Sequence, residues 1–151
     1  CPAKCQCSDK DLSVTCKNVK LEEIPSDLPP FIHSLDLTNN HIPEISNGTF
    51  IVYQNLTRLI LTDNNITKIE EDAFYGLVNL AELSLKRNRL SIEDIPKFIF
   101  QNITTLTKLH LSDTLLRAIP GDAFYGLENL SELFLDGLKL DVLDESVFSG
   151  L

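Results

Sequence analysis

Four cysteines open the chain, Cys1, Cys5, Cys7 and Cys16, and no other follows. Thiols this close in sequence have two uses: they pair as cystines or gather on a metal. Structural zinc sites draw thiolates from knuckles with two to four residues between the cysteines. The single residue between Cys5 and Cys7 is too tight for that, so oxidation to disulfides is expected and no metal. Sequence alone leaves three connectivities open. Disulfides imply an oxidising compartment. Five Asn-x-Ser/Thr triplets agree, at Asn47, Asn55, Asn65, Asn102 and Asn129. Eleven Asn and 21 Ser or Thr among 151 residues would give about 1.5 by chance. The excess marks N-glycosylation acceptors on a secreted or cell-surface chain.

Little else has catalytic character. His33, His41 and His110 share no motif with a Ser or Cys nucleophile. Glu70-Glu71-Asp72 reads as a solvated face or the start of a short helical turn, where negative charge is favourable. No glycine-rich phosphate loop occurs, so neither enzyme activity nor a cofactor is expected. A net charge of −9 argues against nucleic acid and against anionic membrane surfaces. No stretch of eighteen apolar residues exists, so any membrane tether would need a segment outside this chain. The start at Cys1 and the lack of Met read as processing or trimming.

What must position these residues is a repeat. The hexamer DAFYGL occurs at Asp72–Leu77 and again at Asp122–Leu127. Phe50, Phe74, Phe100, Phe124 and Phe148 recur at steps of 24, 26, 24 and 24 residues. Segments of the form L-x-x-L-x-L open at Ile32, Leu56, Leu80, Leu106 and Leu130 on the same beat. The alternating L-x-L core predicts a short strand with its leucines on one side. Successive turns should stack their strands about 4.8 Å apart in one parallel sheet. Three turns separate His33 from His110 by about 15 Å, too far to share a metal. Asn40, Asn64 and Asn88 should turn the chain out of the strand and satisfy buried backbone groups with their amides. The phenylalanines should stack as a spine. Thr114 and Leu138 stand where the fourth and fifth turns would have Asn, so the asparagine ladder should weaken there. Two extra residues between Leu90 and Ile95 predict a local bulge.

The pattern L-x-x-L-x-L-x-x-N-x-L, with tails such as Ile119-Pro120 before Phe124 and Leu127, is that of the leucine-rich repeat. The chain resembles extracellular leucine-rich repeat proteins over nearly its whole length, and CPAKCQC with Cys16 resembles their N-terminal cap. That resemblance implies an α/β-type solenoid, with a curved parallel sheet on the concave face and short 3-10 or irregular turns on the convex face. It also implies a disulfide cap with a β-hairpin, pairing Cys1 with Cys7 and Cys5 with Cys16. The expected division is a cap at residues 1–31 and five repeats at 32–151, with no C-terminal cap. Val14 and Cys16 mimic Leu35 and Leu37, so the cap should add a strand, with an antiparallel partner near Gln6. Broken Asn positions and the irregular third repeat look most like an N-terminal fragment of a Toll-like receptor ectodomain, binding a microbial or protein ligand in innate immunity. Soluble proteins similar to variable lymphocyte receptors, and matrix or axon-guidance adhesion proteins, are the alternatives.

A binding surface is then the expected site, for a protein or glycan ligand. On the concave face Arg58, Lys86, Arg87, Lys108 and His110 could form a basic track across turns two to four. Ile60 and Phe134 would place apolar side chains in water as anchors. The bland alternative is neutralisation of the cations by Asp36, Asp63, Glu82 and Asp113. Glycans at Asn55 and Asn129 would sit where strands begin, at Asn65 where they end, and at Asn47 on the convex side, leaving the mid-strand face free. An open C-terminal end, with Leu133, Leu135, Val142 and Phe148 partly uncovered, would favour self-association.

Overall fold

The structure, a computed structural model, describes residues 1–91, 93 and 95–151. Its described residues hold eleven short strands and no α-helix. Seven strands make the long sheet: β1 (Gln6–Ser8), β2 (Ser13–Thr15), β3 (Ser34–Asp36), β5 (Arg58–Ile60), β7 (Glu82–Ser84), β8 (Lys108–His110) and β10 (Glu132–Phe134), neighbours in that order. β1 and β2 are antiparallel, with Gln6 opposite Thr15; every later pair is parallel. The cap thus adds its strand through Val14, which stands opposite Leu35.

Each L-x-L core sends its leucines inward because side chains alternate along a strand. Leu35, Leu37, Leu59, Leu61, Leu83, Leu85, Leu109 and Leu111 are all buried. Burying one such side chain stabilises by about 2 kcal/mol, but only because the adjacent turns cover it. No single turn could bury its own leucines, so stability resides in stacking between neighbours. Behind the leucines runs the phenylalanine spine. Successive rings from Phe50 to Phe148 stack with centroids 6.2–6.4 Å apart.

The return limb of each turn is built of tight turns and two small parallel strand pairs that the leucine pattern did not announce. β4 (Glu44–Ile45) pairs with β6 (Lys68–Ile69), and β9 (Ala118–Ile119) with β11 (Val142–Leu143). They flank the third turn, where the expected bulge falls. Ile92 and Asp94 of that segment lie outside the described residues.

Asparagine amides tie the turns together where the chain leaves the strand. Asn40, buried, donates through Nδ2 to Cys16 O at 2.7 Å and Leu37 O at 2.8 Å. Its Oδ1 accepts from the N–H groups of Val19 and Leu21. Asn88 repeats the arrangement two turns on, donating to Leu61 O and Leu85 O and accepting from Asn64 N and Ile66 N. Among the described residues Thr114 keeps only a donor bond to Leu111 O, at 3.0 Å. An amide offers donor and acceptor at two reaches, whereas a hydroxyl on a shorter stem reaches one carbonyl. The ladder therefore thins at the fourth turn.

The residue before each ladder position is left-handed: Asn39, Asp63, Arg87, Asp113 and Gly137 have φ between 54° and 72°. Asn, Asp and Gly tolerate that region best. Arg87 is the exception among them; its N–H donates to Ser112 O at 3.0 Å, the same bond to the next turn that Asn39, Asp63 and Asp113 make.

Candidate functional site

Parallel register turns the sequence repeat into rows of side chains on the open face of the long sheet. One row runs Ser34, Arg58, Glu82, Lys108, Glu132. The next runs Asp36, Ile60, Ser84, His110, Phe134. Neighbours within a row lie one strand spacing apart, so each contacts its counterpart 24 or 26 residues away before anything nearby in sequence.

The basic track dissolves under that geometry. Arg58 Nε lies 2.9 Å from Glu82 Oε2, and Lys108 Nζ 3.0 Å from Glu132 Oε1. Arg87 reaches Asp63 at 3.6 Å and Lys86 reaches Asp113 at 3.8 Å. Each expected cation therefore has a carboxylate partner, and the surface is a lattice of alternating sign. Three of the four anticipated carboxylates take part; Asp36 instead meets Lys17 of the cap, at 3.0 Å. These pairs are partly exposed, so each contributes at most about 1 kcal/mol. Their effect is to level the potential of the face.

Ile60 also departs from expectation. Only 7% of it is exposed, with Asp36 and Ser84 on either side in register. Ile60 ends its strand, with the Arg58 row on one side and Thr62, where the chain leaves the strand, on the other, so its side chain is sunk between them. Asp36 and Ser84 are buried in the same way. Ile60 is therefore part of the sheet's packing and no projecting anchor.

At the fourth and fifth turns the central row rises. His110 and Phe134 stack face to face, with centroids 4.3 Å apart and planes 4° from parallel, both half-buried. Glu82 Oε1 lies 3.7 Å from His110 Nε2. Burial nonetheless holds the imidazole below its ordinary range, outweighing the attraction of Glu82, and Lys108 adds to the depression. His110 is therefore the neutral, stacking form near neutral pH. Beside it, the Ser112 hydroxyl donates to Asp136, holding that carboxyl below its usual range. The aromatic pair could be foreseen only from the register, since 24 residues separate its members.

The cap is closed by two disulfides, Cys1–Cys7 and Cys5–Cys16. No three His, Cys, Asp or Glu side chains converge as a metal site among the described residues. Nor is any helix there long and apolar enough to cross a membrane. Among the sequon asparagines, Asn47, Asn55, Asn65 and Asn129 are exposed and Asn102 is half-buried. Two of their side chains have structural duties. Asn47 Oδ1 accepts from Asp72 N at 2.7 Å, and Asn129 Nδ2 donates to Thr104 O at 2.8 Å.

Sequence reasoning missed a second surface. Ile51, Val52, Tyr75, Val78 and Tyr125 are exposed on the return limbs, just after the phenylalanines of the spine. The signal lay in the DAFYGL hexamer itself, whose Tyr follows a buried Phe in sequence.

Comparison with known proteins places these features in a wider group. Leucine rich repeat models match residues 30–90, 91–140 and 104–151, and a leucine rich repeat N-terminal domain model matches residues 1–29. Decorin of Bos taurus and decorin of Gallus gallus are each 48% identical over 61 residues, and decorin of Homo sapiens 46% over 61 residues. Each match covers 40% of this chain and 16% of the decorin, so the chain is similar to only a small part of those relatives.

Proposed function

Since the chain belongs to the leucine-rich repeat family, we propose that it is a non-enzymatic extracellular recognition module of the matrix type, holding a protein ligand on the open face of its long sheet. Two cystines and five sequons support an oxidising, extracellular setting. The similarity to decorin favours a matrix role over the Toll-like one that the irregular repeats suggest. The observation that carries the choice of face is its in-register pavement: paired charges leading to the His110–Phe134 stack. Paired charges present hydrogen-bonding groups of both signs for an interface rim, and a flat aromatic among them is the usual kind of anchor.

The test is binding of the secreted chain to purified fibrillar matrix proteins by surface plasmon resonance. Phe134→Ala should weaken a positive interaction tenfold or more. Lys4→Glu, on the cap, should leave it unchanged. Binding insensitive to Phe134→Ala and to Lys108→Glu removes the open face as the site. A second reading, a Toll-like receptor ectodomain, is favoured by the 26-residue third repeat and by Thr114 and Leu138 at Asn positions. Selective binding of a bacterial lipopeptide, with no affinity for matrix proteins, would choose it.

A further inference from the structure

On the return limbs of turns one to three lies an open groove of about 390 Å³, lined by Ile51, Gln54, Tyr75, Gly76, Val78 and Asn102. Ile51, Tyr75 and Val78 are each about half exposed, at 47%, 52% and 54%. That is a cluster of apolar side chains in water, one turn apart, with a sequon asparagine on its wall. Asn102 occupies the repeat position held by Gly76 one turn earlier and Gly126 one turn later. Where those turns present only hydrogen, this one presents a carboxamide. The Asn102 amide has no protein hydrogen bond among the described residues, unlike Asn47 and Asn129, whose side chains are committed. Thr104, which completes the triplet, is exposed.

We propose that Asn102 carries an N-linked glycan whose first acetylglucosamine lies across Ile51, Tyr75 and Val78 and covers this apolar groove. The donor is a lipid-linked oligosaccharide pyrophosphate. Its sugar C1–oxygen bond breaks as the C1–Nδ2 bond to Asn102 forms; the amide gives up one proton and the lipid pyrophosphate leaves. The sugar presents C–H faces and an acetyl methyl to the tyrosine ring and hydroxyls to solvent. It thus replaces water over the apolar side chains without leaving its own polar groups unpaired. The proposal rests on the extracellular part of the functional reading and is independent of the open sheet face, which Tyr75 does not border.

The chain, secreted from glycosylating cells and trimmed by endoglycosidase to one acetylglucosamine per sequon, tests it. Glycopeptide mass spectrometry should find Asn102 occupied. With isotope-labelled acetylglucosamine, its acetyl methyl resonance, assigned by its loss in Thr104→Ala or Asn102→Gln and its retention in Thr104→Ser, should lie upfield of that at Asn65 through the ring current of Tyr75. Tyr75→Ala should abolish the shift and Tyr125→Ala should not. An unoccupied Asn102, or a methyl resonance indifferent to Tyr75→Ala, overturns the proposal and leaves matrix binding by the sheet face untouched. Free thiols together with all five sequons empty would instead strike at the extracellular reading itself.

Discussion

Replacing Asn88 by Ala isolates the device that joins one turn to the next. The buried amide serves five backbone groups: Leu61 O and Leu85 O at 2.9 Å, Asn64 N at 3.1 Å, Ile66 N at 3.0 Å and, at 3.4 Å, Lys86 O, which also accepts from Asp63 N. Leu61 O retains a second donor, Asn64 Nδ2, at 3.1 Å. Truncation therefore strands three groups: one carbonyl and two N–H groups. At about 1 kcal/mol for each buried group left unpaired, Asn88→Ala should cost about 3 kcal/mol. Thr114→Ala, at the equivalent position one turn later, loses one bond to Leu111 O and should cost about 1 kcal/mol. With a urea dependence of roughly 2 kcal/mol per molar, the unfolding midpoint should fall by about 1.5 M for the first and about 0.5 M for the second. Circular dichroism across a urea series, with disulfides intact, measures both. If the two midpoints fall equally with unchanged slopes, the amide is not bridging turns and the ladder argument fails.

Other perturbations probe the remaining contacts. Gly76 has φ +97°, and a Cβ there would stand 2.6 Å from the Ile51 Cα, so Gly76→Ala should lower stability by at least about 1 kcal/mol in thermal unfolding. Val52→Ala, exposed at the same repeat position, should be nearly silent. His110 is held below its unfolded value, so its contribution is complete above about pH 6.5 and is lost as pH falls through the lower folded value; titration of the chain should show acid destabilisation that Phe134→Ala reduces. Joint Cys5→Ser and Cys16→Ser replacement opens a cap loop worth about 3 kcal/mol, and should expose the Leu35 end of the sheet to hydrogen exchange before the Leu109 end.

The solenoid was legible because its core is written in a period. Leu59 and Leu61 are buried for the same reason as Leu83 and Leu85, and one strand explains the others. The cap strand followed from Val14 standing in for Leu35. The site was less legible because the surface is determined across turns. Arg58 and Lys108 look like a basic run when the cations are collected along the chain, yet each lies beside a glutamate 24 residues later. Ile60 reads as exposed by strand alternation, but alternation assigns a face and not a depth, and its row neighbours bury it. The small limb strands β4, β6, β9 and β11 escaped for a related reason. Two-residue strands are too short to show an alternation of their own and exist only through their partner one turn away.

The same in-register stacking constrains what this surface can recognise. Residues of equal rank on adjacent turns sit directly opposite, and like charges so placed destabilise the sheet. Both charged rows obey that constraint by changing sign at every turn: Arg58, Glu82, Lys108, Glu132 in one, and Asp63, Arg87, Asp113 in the other. A uniformly basic or acidic band could be built only against this repulsion, so long-range charge attraction is a poor source of specificity here. Discrimination must come from the positions where a row changes character. On this face the sharpest change is the step from buried Ile60 and Ser84 to the risen pair His110 and Phe134. A ligand that fits the molecule by shape would register its contact at that step, with the paired charges setting its orientation through hydrogen bonds at the edges.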